Sequence, residues 1–127
     1  TGNNRDVNRY RWNQKVILNQ LKNSKSKQSI FYKNLTNLLS IKTKQKAFHP
    51  NASRKTLNMG SKIFCFQRTS IDKKQIIMCI TNLSSKIQKI RINKIYHNWI
   101  NLIGPKIETK NKLLILKPFE TIWLSNS

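Results

Sequence analysis

Four carboxylates are the only acids in this 127-residue chain, Asp6, Asp72, Glu108 and Glu120. Acid/base or nucleophilic work on a sugar or ester would need two of them facing each other. Their spacing brings no two together: Asp72 belongs in a hairpin turn and Glu120 in a strand beside Trp123. His49, His97, Cys65 and Cys79 could supply zinc ligands, yet separations of 16, 14 and 18 positions match no compact ligand pattern. No metal and no cofactor is therefore expected. Arg9, Tyr10 and Trp12 combine cations with aromatic rings, a set that could stack on a sugar or a nucleobase. The same residues also serve to anchor a loop against a following helix, which is the preferred reading.

The charge balance is the other chemical signal. Twenty-five Lys and Arg against four acids give a net charge of +21, enough to attract any polyanion. The cations are spread evenly, no run reaches five, and Lys outnumbers Arg 19 to 6, whereas specific readers of bases and phosphates favour the Arg fork. Lys, Asn and Ile are enriched together, as codons rich in A and T would produce. Nucleic acid is thus expected to bind only non-specifically. Two Cys outside any C-x-x-C pair indicate a reduced, cytoplasmic setting. No segment approaches the roughly 18 apolar residues of a membrane span. The sequons at Asn34, Asn51 and Asn82 are about as many as 16 Asn among 19 Ser and Thr produce by chance. A chain that begins at Thr1 reads as a processed chain or a fragment.

The elements that must position these residues fall into two halves. Residues 1–12 lack either hydrophobic period and read as a loop. Val16, Ile17, Leu18 and Leu21 predict a short helix, ended by the polar stretch 23–28. Phe31, Leu35, Leu38 and Leu39 form one stripe of a second helix running to about Lys44, capped by Ser29 or a neighbour. Pro50 closes it. Strand periodicity follows: SKIFCFQRTS and QIIMCITNLS predict a hairpin, and a turn centred on Asp72 would set Cys65 opposite Cys79 and Phe66 opposite Met78. KIQKIRI, a turn at LIGP, LLIL and FETIWL complete an antiparallel sandwich of Greek-key type.

RDVNRY, the helix at 29–44, AFHPNAS with IFCFQRTS, TNLSSK and KPFETIWL occur in an order that resembles the C-terminal end of sucrose phosphorylases and their relatives in the α-amylase family, glycoside hydrolase family 13. Those relatives include enzymes acting on phosphorylated sucrose and on glucosylglycerate. The resemblance implies an α+β fragment: residues 1–47 as the last loop and helices of a (β/α)8 barrel, and residues 48–127 as the C-terminal β-sandwich. It implies a glycosyltransferase of carbohydrate metabolism, turning an α-glucoside and inorganic phosphate into α-glucose 1-phosphate. The preceding barrel would be the partner, and the family's catalytic carboxylates lie on barrel strands outside this chain. Catalytic residues are therefore expected to be none here. Arg5 is the one substrate-binding candidate, its guanidinium expected to donate to hydroxyls of the bound glucosyl unit in the complete enzyme only. The rival readings are a small basic nucleic-acid-binding protein and a freestanding carbohydrate-binding sandwich.

Overall fold

The computed structural model describes residues 12–93, 96, 98–107, 109–110 and 113–127, and the chain forms two compact units, Thr1–Leu39 and Ser40–Ser127. Helix α1 spans Gln14–Lys22. Its N-cap is Asn13, whose Oδ1 accepts from the Lys15 N–H at 2.9 Å and so satisfies one of the amides that a helix start leaves without a partner. Helix α2 spans Lys27–Thr43. Its cap is Ser26 rather than Ser29: the Ser26 hydroxyl accepts from the Ser29 N–H at 3.0 Å while donating to the Gln20 carbonyl, and its own carbonyl accepts from Ile30. Capping by the earlier serine starts the helix two residues before Ser29. The expected stripe lies uncovered, with Phe31 68%, Leu35 41% and Leu39 47% exposed.

The second unit begins with the end of α2, followed by a 3₁₀ turn at Lys46–Phe48. Among the described residues eight strands follow: β1 Ser53–Asn58, β2 Ile63–Thr69, β3 Ile76–Asn82, β4 Gln88–Arg91, β5 Ile100–Asn101, β6 Thr109–Lys110, β7 Leu113–Leu116 and β8 Thr121–Ser125. They form two antiparallel sheets, ordered β1-β2-β3-β8-β5 and β4-β7-β6. Met78, Ile80, Cys65, Ile122 and Leu124 of the larger sheet pack with Leu114, Leu116, Ile90 and Ile92 from the smaller one and the residue after it, closing one core between the sheets. Each such side chain, fully buried, contributes roughly 1.5–3 kcal/mol.

The β2–β3 register differs from the expected one by a single step. Cys65 faces Ile80 and Phe66 faces Cys79. Ser70 pairs with Gln75 through a 2.9 Å backbone hydrogen bond, so the loop holds four residues and its centre falls between Asp72 and Lys73. Directly opposed residues share a face in an antiparallel pair. Cys65, Met78 and Ile80 therefore point into the core, and Phe64, Phe66, Ile77 and Cys79 point to the outer face. On that outer face Ala47, Ile77 and Cys79 form a second buried cluster, with Phe48, Phe66, Leu102 and Trp123 against it. The two thiols thus lie on opposite sides of the sheet, both free. Burial pushes the Cys65 thiol up to about 11 and the Cys79 thiol up to about 12.

The closing segments need two smaller corrections. Glu120 lies in the turn before β8 rather than in the strand, because its side chain caps that turn. LLIL is half-buried: β7 is the central strand of a sheet with one face open, so Ile115 is exposed while Leu114 and Leu116 lie inside.

Candidate functional site

Arg5, Arg9, Tyr10, Asp6, His97 and Glu108 lie outside the described residues. Trp12 is described: with Ile17, Gln20, Leu21 and Gln28 it lines a hollow of about 130 Å³, which sets the ring beside α1. Trp99 packs edge-on against Tyr96, ring centroids 4.7 Å apart, next to the core. Trp123 meets Phe48 at 4.8 Å. Both tryptophan rings pack against an aromatic neighbour within the chain.

Asp72, Ser70, Lys46 and His49 line an open hollow of about 300 Å³. The chain turns there from β2 to β3, and the polar groups are spent on the turn itself. Asp72 Oδ1 accepts from the Ser70 hydroxyl at 2.6 Å and from the Lys74 N–H at 3.2 Å, and Oδ2 meets Lys46 Nζ at 3.3 Å. These bonds, the Ser70 hydroxyl foremost, hold the carboxyl down at about 2. This depressed pKa favours the fold above the ordinary carboxylate range, and the preference fades as pH falls towards 2. A group so held is neither a general acid near neutrality nor free to attack. His49 Nδ1 accepts from the Asn51 N–H at 3.2 Å. Glu120 Oε2 accepts from the Lys117 N–H at 2.7 Å. Among the described residues no three His, Cys, Asp or Glu side chains gather.

Sequence reasoning overlooked a polar centre at Asn82, which is fully buried. Its amide donates to the Lys86 and Lys117 carbonyls, both at 2.8 Å, and its oxygen accepts from the Ser84 N–H and hydroxyl at 2.9 and 2.8 Å. All four bonding positions of the amide are used. TNLSSK and KPFE, two of the segments that carry the family resemblance, are tied together here. The signal was the asparagine closing a strand whose first five residues are apolar, a type that a buried strand does not tolerate without a task. The same burial leaves the Asn82 amide no opening for a glycan in the folded chain, whereas Asn34 and Asn51 are exposed.

No family model matches the chain. Two curated relatives carry the name glucosylglycerate phosphorylase. The one from Spirochaeta thermophila is 27% identical over 84 residues, 66% of this chain and 14% of its own length. The one from Escherichia coli is 23% identical over 126 residues, 97% of this chain and 21% of its own length. The chain therefore spans about a fifth or less of these relatives. Solved structures share the fold: an α-amylase from Anoxybacillus (TM-score 0.62, 17% identity, 81% of this chain and 23% of that one) and the trehalulose synthase from Pseudomonas mesoacidophila (TM-score 0.59, 16% identity, 85% and 19%). This chain thus shares its fold with segments of these two enzymes.

Proposed function

We propose that this chain is the C-terminal portion of a glycoside phosphorylase of the α-amylase family. In this reading residues 1–47 end a (β/α)8 barrel and residues 48–127 are a Greek-key sandwich that packs on it, in a cytoplasmic enzyme. The observation that carries it is the correspondence of 97% of the chain with the Escherichia coli glucosylglycerate phosphorylase. The complete enzyme converts an α-glucoside and inorganic phosphate reversibly into α-glucose 1-phosphate, through a covalent glucosyl-enzyme formed on one carboxylate while a second protonates the leaving oxygen. Both sequence relatives bear one name, which favours glucosylglycerate over sucrose as the glucoside. The test is direct. Purified chain given either glucoside with phosphate should release no glucose 1-phosphate, and the full reading frame should release it. Turnover by the isolated chain would overturn the fragment reading.

Arg5 is proposed to bind non-reacting hydroxyls of the glucosyl unit. In the complete enzyme Arg5→Ala should remove hydrogen bonds of about 1.5–3 kcal/mol, lowering kcat/KM roughly ten- to a hundredfold. Arg5→Lys should recover part of it, since an ammonium lacks the fork. Replacing exposed Arg54 on edge strand β1 should change little, and full activity in Arg5→Ala would withdraw this role.

A further inference from the structure

The outer face of the smaller sheet departs from the rule for a sheet side in water, which is to present polar residues outward. In the β4–β7 register Lys89 lies opposite Ile115 and Arg91 opposite Leu113, the pairs that point away from the core side chains Ile90, Leu114 and Leu116. Each pair sets a cation against an aliphatic side chain. One step beyond the ladder the same register brings Ile87 to Lys117. Ile87 is 60% and Ile115 44% exposed, and Lys89, Arg91, Lys117 and neighbouring Lys86 are all exposed. Among the described residues none of these cations pairs with a carboxylate: the ion pair there joins Lys46 to Asp72, and the Glu120 carboxylate is bonded to the Lys117 N–H.

We propose that this face binds an anionic lipid surface, its cations meeting the headgroups while Ile87 and Ile115 enter the boundary with the acyl chains. The area decides against a protein partner. Three strands of two to four residues, spaced about 4.8 Å apart and rising about 3.3 Å per residue, cover on the order of 200 Å². A stable protein interface takes about 800 Å² from each partner. A bilayer sets no such minimum, because each cation brought near an anionic leaflet strengthens binding roughly fivefold by itself. The phosphates of a nucleic acid would satisfy the cations and leave the isoleucines no apolar phase to enter. A second copy of a chain carrying +21 would bring like charges together. Lipid binding here does not depend on which reaction the complete protein performs.

Vesicle binding tests this, and the charge of +21 makes the aliphatic residues the informative ones. Both the chain and the complete protein should bind vesicles of mixed phosphatidylglycerol and phosphatidylcholine, and neither should bind phosphatidylcholine alone. Replacing Ile87 and Ile115 together by Ser leaves the charge unchanged and should weaken binding about tenfold or more. Ile100→Ser, at an exposed isoleucine on β5, should leave it as it was. Lys89→Ser with Arg91→Ser should weaken binding about twenty-five-fold at low salt, and Arg54→Ser with Lys55→Ser on β1 far less. A nitrobenzoxadiazole label on Ile115→Cys, with Cys65 and Cys79 buried, should shift to the blue on anionic vesicles, whereas the same label on Lys55→Cys should not. Equal losses in the Ile87 plus Ile115 variant and in Ile100→Ser, or equal shifts at positions 115 and 55, would reduce the binding to diffuse charge and overturn the proposal. So would binding by the chain and not by the complete protein, which would mean that another domain covers the face. A shift at position 115 as large with polyglutamate as with vesicles would overturn it too, in favour of an acidic protein.

Discussion

Asn82→Asp should lower the stability of the chain by about 3–5 kcal/mol at neutral pH, read as a reduced urea midpoint with unchanged slope. The asparagine amide holds the Lys86 and Lys117 carbonyls, each at 2.8 Å. A carboxylate offers neither donor. It leaves two carbonyls unpaired, at about 1–3 kcal/mol each, and sets a buried negative charge against them. Desolvation and those carbonyls would raise the pKa of the introduced acid, so the loss should be largest above that pKa and shrink as pH falls, when protonation returns one O–H donor. Ser84→Ala gives the graded comparison. It removes the hydroxyl that donates to Asn82 Oδ1 at 2.8 Å and accepts from Gln88 Nε2 at 3.0 Å, and should cost about 1–2 kcal/mol. If Asn82→Asp unfolded at the same urea concentration as the parent, the amide would not be the tie between the two turns.

The contrast between Asn82 and its surroundings shows where the sequence was legible. Helix α2 could be read because its apolar residues recur at the helical period, and β2, β3, β7 and β8 because they are dense in large apolar side chains. Strand β1, SRKTLN, could not: only Leu57 is apolar, five of its six residues are exposed, and an edge strand is held by its backbone ladder to β2. The β2–β3 register slipped because the turn seemed to centre on Asp72. The actual loop places Lys73 at φ 58°, a left-handed conformation that glycine or asparagine would have announced. The hydrogen-bonding of Asn82 depends on carbonyls 4 and 35 positions away, and no local pattern encodes the second. The family segments were recognisable before their physical connection was.

Arg68→Ala should free the 3₁₀ turn from the sheet, and the turn is where the chain enters its second unit's outer face. Arg68 Nε donates to the Ala47 carbonyl at 3.0 Å and Nη2 to the His49 carbonyl at 2.5 Å. A guanidinium reaches both at once because its donors are fixed in one plane. Other ties of the turn are the Ala47 N–H to Gln75 Oε1 at 2.9 Å, the exposed Lys46–Asp72 ion pair at 3.3 Å and the contact of Phe48 with Trp123. Charge-assisted hydrogen bonds contribute about 1.5–3 kcal/mol each when shielded, and the His49 bond is exposed, so the pair is worth roughly 2–3 kcal/mol after screening. That free energy should appear locally. Trypsin should cut after Lys44 and Lys46 some thirtyfold faster or more in Arg68→Ala, the factor that about 2 kcal/mol of easier opening gives when cleavage follows the open population. The core between the sheets, which Arg68 does not touch, should resist as before. Arg68→Lys should restore only part of the protection, since one ammonium cannot span both carbonyls. Cleavage at the parent rate in Arg68→Ala would mean that Gln75, the Lys46–Asp72 pair and the Phe48–Trp123 contact together hold the turn without the arginine.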